Sequence, residues 1–157
     1  MPAQPLQALV PYLTVSPAAQ AIDFYKRAFG LEEVARLMTP DGKVMHAQMR
    51  LGGADLYLAD QFDMPGADTC QTPAALGGTT TTIHLNTPDV DAAFARATGA
   101  GATPAMPPAD MFWGDRYATV IDPFGHHWSM TSPKEAVPPE EMQRRVAAMF
   151  ASGSQQA

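Results

Sequence analysis

Apolar residues recur along this chain with the alternating spacing of strands and the three-to-four-residue spacing of helices, in two successive runs. The first run predicts, in order, a strand over 9–15, a helix over 18–29 and strands over 33–38, 44–51 and 55–59. Ser16 is the expected N-cap of the helix, Pro17 its first residue and Gly30 its C-terminal stop. The first run therefore has the order βαβββ.

The same order returns after a connecting loop, predicted over 61–78 because it is rich in proline and glycine. The second run predicts a strand over 79–86, a helix over 88–97 and strands over 103–105, 116–121 and 127–131. Aligning the helices at Phe24 and Phe94 places Val15 on Leu85. The sequence thus predicts two repeated modules, about 9–60 and 79–132, within one domain over 1–157.

A third amphipathic segment follows the second module and predicts a C-terminal helix over about 138–150. Its apolar stripe comprises Met142, Val146, Met149 and Phe150. The stripe fits packing on the same domain and covering a second subunit equally well, and both interpretations stay open. No regular structure is expected in the last residues, 152–157.

Composition and charge narrow the classes of partner. The 157 residues are 46% hydrophobic and 17% charged, which is typical of a folded soluble domain. A net charge of −6 argues against a nucleic-acid surface and favours a neutral or cationic small ligand. The single cysteine, Cys70, excludes an internal disulfide, and residues 1–7 lack the pattern of an export signal. With no apolar run of membrane-spanning length, we expect no membrane partner and a cytoplasmic protein.

Several motifs occur in a characteristic order along both runs. They are Pro11-Tyr12-Leu13-Thr14-Val15, Ala21-Ile22-Asp23-Phe24-Tyr25, Phe29-Gly30, Val90-Asp91-Ala92, Ala100-Gly101-Ala102, Phe112-Trp113-Gly114-Asp115-Arg116-Tyr117, Asp122-Pro123-Phe124-Gly125-His126 and Trp128. The set resembles the glyoxalase, bleomycin-resistance and dioxygenase type of the vicinal oxygen chelate superfamily, in particular its demethylubiquinone-methyltransferase-like branch. The resemblance implies an α+β fold in which two βαβββ modules form a concave, barrel-like sheet around a cavity, and a homodimer.

The resemblance also implies where a divalent metal ion would bind, with one ligand from the first and fourth strands of each module. These positions fall at Val10, Tyr57, Thr82 and Ser129, with Thr80 as an alternative on the fifth strand. All are poor substitutes for imidazole or carboxylate ligands. We therefore expect no metal and no other cofactor, the alternative being a rebuilt divalent site that uses His46 and His84, with His127 as a third ligand.

Strand alternation assigns a set of side chains to the cavity. These are Tyr12, Thr14, His46, Gln48, Tyr57, Thr82, His84 and Ser129, joined by Phe112, Trp113 and Arg116 from the loop before the seventh strand. His84 and His46 are the candidate catalytic residues, because imidazole exchanges protons near neutral pH. Asp55 is the one carboxylate that could orient either.

Purely structural roles compete for three of the loop and strand residues. Trp113 could fill the end of the sheet, Arg116 could pair with Asp115 or Asp122, and Trp128 is expected in the core. A structural role is also expected for His126, at the turn that follows Asp122.

Two functions fit these features. One is a small-molecule-binding protein that has lost the inherited metal site and sequesters its ligand through aromatic side chains. The alternative is a lyase or isomerase of a small oxygenated substrate, which uses a rebuilt metal site or histidine-based proton transfer. A methyltransferase is not supported, because no glycine-rich cofactor loop follows a strand.

Overall fold

The computed structural model describes residues 8–66 and 70–153; the predictions for residues 1–7, for 67–69 within the linker and for 154–157 lie outside the described residues. The elements are β1 (Tyr12–Thr14), α1 (Ala18–Phe29), β2 (Glu32–Met38), β3 (Val44–Leu51), β4 (Ala54–Ala59), α2 (Pro73–Leu76), β5 (Thr82–Asn86), α3 (Val90–Ala100), β6 (Thr103–Asp110), β7 (Asp115–Ile121), β8 (His127–Pro133) and α4 (Pro139–Gly153). The predicted α+β fold, with two βαβββ modules and a C-terminal helix, is confirmed. No helix in the described ranges is long and apolar enough to cross a bilayer.

The described residues divide into two compact units, one comprising those up to residue 80 together with the short turn 123–125, the other those in 81–122 and from 126 onwards. The first unit contains a four-stranded sheet of order β1-β4-β3-β2, in which β1 and β4 are parallel and the other neighbours antiparallel. Helix α1 buries Ile22, Phe24 and Tyr25, and the sheet buries Met49 and Leu58. Apolar burial of this kind supplies most of the stabilisation of a small unit.

Helix α1 covers the residues predicted for it, but its N-terminus is satisfied differently. Pro17 rather than Ser16 is the N-cap and contributes no side-chain hydrogen bond. Instead the buried Asp60 carboxylate accepts from the Ala18 N–H (2.9 Å) and from the Val44 N–H (2.7 Å). The expected Ser16 cap is therefore wrong, because a carboxylate distant in the sequence already occupies that position.

The second unit contains a sheet of order β5-β8-β7-β6, with β5 and β8 parallel. Helix α3 packs on β6, β7 and β8. Trp128 is 1% exposed, and its indole N–H donates to Asp122 Oδ2 (2.9 Å). The same carboxylate accepts the backbone N–H of His126. The predicted core role of Trp128 is confirmed, and a turn-stabilising role of the His126 side chain stays a prediction.

The internal repeat is real, but its predicted alignment is wrong by two residues. The N–H of Val15 donates to Ala59 O, and α1 begins three residues later at Ala18. In the second unit the N–H of Thr87 donates to Thr131 O, and α3 begins three residues later. Val15 therefore corresponds to Thr87 and not to Leu85. The Phe24–Phe94 alignment failed because the apolar periodicity of α3 is weaker than that of α1.

Two further differences from the predicted elements, in the linker and in β6, have identifiable physical reasons. The predicted linker contains the one-turn helix α2, with Thr72 as N-cap and Gly77 in left-handed conformation at its end. Strand β6 continues through Pro107 and Pro108 to Asp110, and it is the edge of its sheet. An edge strand tolerates proline because one row of its N–H groups has no strand partner.

Candidate functional site

Three polar aromatic side chains gather on one face of the first sheet. Leu56 and Leu58 of β4 are buried, so Tyr57 between them lies on the opposite face. Tyr57 pairs with Tyr12 of β1, and their rings are perpendicular at 5.9 Å. The His46 ring lies 4.9 Å from that of Tyr57, and its Nδ1 is 3.0 Å from the Tyr12 hydroxyl. The structure thus brings together three residues that the sequence assigns to a ligand-facing surface.

The protonation state of Tyr12 determines whether its hydroxyl can donate a hydrogen bond within this cluster. Burial, and secondly the nearby Cys70 thiol, raise the pKa of the Tyr12 phenol above its ordinary value. The phenol is accordingly protonated at neutral pH and can act as a hydrogen-bond donor. Tyr12 is nevertheless 57% exposed, which leaves its ring accessible to a ligand.

A charged pair borders the aromatic cluster. Gln48, which pairs with Tyr57 across the sheet, donates its amide to Asp55 Oδ2 (2.8 Å). The Arg50 guanidinium also binds Asp55, and this hydrogen bond lowers the pKa of that carboxyl. Asp55 therefore orients Gln48 and not His46.

A second polar pair lies in the second unit. His84 of β5 pairs with Ser129 of β8, and His84 Nδ1 lies 2.7 Å from the Ser129 hydroxyl. Ser129 is 3% exposed, whereas His84 is exposed. The ring of Tyr117, from β7, lies nearly parallel to that of His84 at 6.5 Å.

Tyr117 is the residue of this face that the sequence analysis missed. It lies on β7 between Arg116 and the buried Ala118, and Val120 is buried as well. The alternation used for the other strands would have placed Tyr117 on the ligand-facing surface, had it been applied to β7.

The aromatic turn before β7 extends the same cluster. The rings of Phe112 and Trp113 are perpendicular at 5.0 Å, and Trp113 lies 5.6 Å from Tyr117. The Trp113 indole N–H donates to Asp115 Oδ2 (3.1 Å). A continuous aromatic surface therefore runs from His84 through Tyr117 to this turn.

Arg116 does not join this surface. It lies within β7 and not in the preceding loop, and its guanidinium binds Asp91 of α3 and Asp110 of β6. Neither Asp115 nor Asp122, the partners expected from the sequence, is the one it uses. Because α3 packs on that side of the sheet, we correct the assignment of Arg116 and leave it out of the candidate site.

The corrected repeat relates the two polar pairs. Each pair connects the first and fourth strands of its module: Tyr12–Tyr57 in the first unit and His84–Ser129 in the second. Tyr12 lies three residues before Val15, and His84 lies three residues before Thr87, the equivalent residue of the second unit. Each module thus carries one hydroxyl-containing pair at the same position.

The remaining predicted residues are peripheral to these clusters. Thr14 is half-buried and pairs with Ala59, while Thr82 is exposed and pairs with His127. Within the described ranges, no three His, Cys, Asp or Glu side chains lie together as a metal site requires. The expected loss of the metal site stays a prediction.

Comparison with known proteins places the chain in a family. The Glyoxalase/Bleomycin resistance protein/Dioxygenase superfamily matches residues 7–130. The match spans well over half of the chain, which belongs to that superfamily.

Individual relatives agree with this placement. An uncharacterised protein of Mycobacterium tuberculosis is 48% identical over 146 residues, covering 93% of this chain and 84% of that protein. The crystal structure of TioX from Micromonospora sp. ML1 has a TM-score of 0.65 at 29% identity, covering 82% of this chain and 99% of TioX. TnmS3, an antibiotic binding protein from Streptomyces sp. CB03234, has a TM-score of 0.61 at 26% identity, covering 83% of this chain and 99% of TnmS3.

Proposed function

We propose that this protein binds a small neutral or cationic molecule with an aromatic ring system, and that it holds this molecule without converting it. The observation that carries the proposal is the composition of the exposed sheet faces. Each combines aromatic rings with hydroxyl and imidazole groups, which suits contact with a planar ligand and a few directional hydrogen bonds. The antibiotic-binding function of TnmS3 supports a related role here.

The hydrogen bonding of the two histidines favours binding over catalysis. His46 bonds to a phenol and His84 to a serine hydroxyl. A general base is usually oriented by a carboxylate, and the carboxylate nearest in register, Asp55, is held by Arg50 and Gln48. In these surroundings the imidazoles serve well as hydrogen-bonding groups for a ligand.

The proposal is tested by titrating the protein with doxorubicin, which combines a planar polycyclic ring system with an ammonium group. Kanamycin, which carries several ammonium groups and no aromatic ring, is the control for binding by charge alone. We expect doxorubicin to bind and kanamycin not to bind, as measured by isothermal titration calorimetry. Equal binding of the two compounds would show that charge alone drives association and would overturn the proposal.

A substitution locates the binding surface. Replacing Tyr57 by leucine removes the ring that contacts both Tyr12 and His46 and should weaken doxorubicin binding about three- to tenfold, the value of one aromatic contact. Phe150→Leu removes an exposed aromatic ring from α4 and should leave the affinity unchanged. Equal effects of both substitutions would contradict this location.

A second candidate is an enzyme that uses proton transfer, and the exposure of the His84 imidazole on the sheet face favours it. It predicts a compound whose conversion by the wild type is lost in His84→Asn and is insensitive to chelator. A rebuilt metal site predicts instead a stoichiometric divalent ion and a large fall in melting temperature on chelation.

We further propose that the protein is a cytoplasmic homodimer. The resemblance of its motifs to the superfamily supports the dimer, and its single cysteine suits a reducing compartment.

A further inference from the structure

The C-terminal helix lies beyond the part of the chain that matches the superfamily, which ends at residue 130. Yet this helix and the segment before it contact the turn that presents Phe112 and Trp113. The turn is closed by two backbone hydrogen bonds, from Met111 N–H to Asp115 O (2.8 Å) and from Gly114 N–H to Met111 O (3.0 Å). Trp113 adds two contacts to β7, one with the Asp115 carboxylate and one with the Tyr117 ring.

The segment leading to α4 lies directly on this turn. The N–H groups of Lys134 and Glu135 both donate to Gly114 O, at 3.0 and 2.8 Å. A Cβ on Gly114 would lie 2.3 Å from Glu135 O and 2.8 Å from a methyl of Val137. The contact is thus close enough to exclude every side chain at position 114.

Helix α4 adds a second contact through Arg145. The guanidinium donates to the Phe112 carbonyl oxygen (2.9 Å), to both carboxylate oxygens of Glu135 (3.1 and 2.8 Å) and to Glu141 Oε1 (3.0 Å). These carboxylates fix the planar guanidinium, so that one of its N–H groups is directed at the backbone of the aromatic turn.

We propose that α4 is a strap that holds the Phe112–Trp113 turn in the conformation that binds ligand, with Arg145 as the positioning residue. The inference rests on the proposed function for its ligand, but the geometry of the strap is independent of it. Arg145 acts through the Phe112 carbonyl and thereby sets the position of the adjacent Trp113 ring. An ordered aromatic side chain binds more tightly than one that must be immobilised on binding.

The positioning role is tested by ¹⁹F NMR of protein that contains 5-fluorotryptophan. The chain has two tryptophans, so Trp128 in the core serves as an internal reference for folding. Arg145→Met should shift or broaden the Trp113 resonance and leave that of Trp128 unchanged. Arg144→Met, at the preceding residue, removes an ion pair with Glu141 and should leave both resonances unchanged. An unchanged Trp113 resonance in Arg145→Met overturns the proposal.

If Arg145→Met also displaces the Trp128 resonance, Glu135→Gln is the deciding variant. It weakens the fixation of the guanidinium from an exposed position. A selective change at Trp113 supports the strap, and no change at Trp113 overturns it.

Ligand binding provides the second readout. Arg145→Met should weaken doxorubicin binding about three- to tenfold, the value of ordering one side chain. The same substitution in a Trp113→Leu background should have no further effect, and an equal loss there overturns the coupling to Trp113. If the wild type binds no doxorubicin, the proposed function fails for this compound, while the NMR comparison still decides whether the strap exists.

Discussion

Two buried carboxylates each connect separate groups of the chain through hydrogen bonds. The Asp60 carboxylate connects the start of α1 to the start of β3, and Asp122 connects the last turn to the Trp128 indole. Strand alternation identified His46, Gln48 and Tyr57 because it needs only local sequence. It did not identify Asp60, because the two N–H groups that this residue binds come from segments 42 and 16 residues away.

The two hydrogen bonds of Asp60 lead to a prediction about the stability of the protein. Asp60→Ala should lower the free energy of unfolding by about 2 to 5 kcal/mol, because two buried N–H groups lose their acceptor. Asp60→Asn retains one carbonyl oxygen and should lose about half as much. Urea denaturation measures both, and the exposed Asp63→Ala is the control, expected within about 0.5 kcal/mol of wild type. A neutral Asp60→Ala would contradict the role of this carboxylate.

A second prediction about stability concerns the close contacts of Gly114. Gly42 and Gly114 both have positive φ, 88° and 102°, but only Gly114 has atoms in the place of a Cβ. Alanine at position 42 should cost about 1 to 2 kcal/mol for backbone strain. Alanine at position 114 should cost about 1 to 3 kcal/mol more, because it also collides with the backbone of Glu135. Equal losses in thermal unfolding would show that the strap segment does not rest on this glycine.

At the scale of elements, capped and strongly periodic segments could be predicted from the sequence. Helix α1 was predicted at its observed bounds, since its apolar spacing and Gly30 are clear signals. Helix α3 begins two residues after its predicted start because Asp89 is the N-cap and accepts from the Ala92 N–H. The length of β6 could not be predicted, because its prolines are acceptable only at a sheet edge, and the edge is a property of the tertiary structure.

The ion pairs of Arg116 join three elements and predict a pH dependence. Hydrogen bonds from Arg116 lower the pKa of Asp91, while Lys134 and then Arg116 lower that of Asp110. Their folded-state pKa values lie below the unfolded ones, so the stabilisation is complete above the unfolded value of about 4 and is lost as the pH falls through the folded value. Arg116→Met should therefore have a lower melting temperature at pH 6 and approach wild type towards pH 2.

Screening provides the control for this prediction. These carboxylates are exposed, so 1 M NaCl at pH 6 should reduce the difference in melting temperature between Arg116→Met and wild type. A difference that is independent of both pH and salt would indicate that the arginine acts through the packing of its aliphatic stem.

The fold class of the chain could be predicted because the same βαβββ order occurs twice. Two modules with the same turn signals leave few arrangements of strands, and the two sheets have equivalent strand orders, β1-β4-β3-β2 and β5-β8-β7-β6. The oligomeric state is less determined by the sequence, since the apolar stripe of α4 could either pack on its own domain or cover a second subunit. Arg145 binds α4 to its own unit, while Met149 and Phe150 stay exposed.

The proposed homodimer predicts the molecular mass of the protein in solution. Light scattering at micromolar concentration should report a mass twice that of the 16.8 kDa chain. A mass of one chain throughout the accessible concentration range would contradict the dimer and would leave the binding proposal unchanged.

Equilibrium dialysis of the protein against doxorubicin, followed by mass spectrometry of both chambers, tests whether an aromatic ligand binds without conversion. We expect doxorubicin to accumulate in the protein chamber and to be recovered there with unchanged mass. Equal concentrations in the two chambers, or a product of different mass that forms only with protein present, would contradict this expectation.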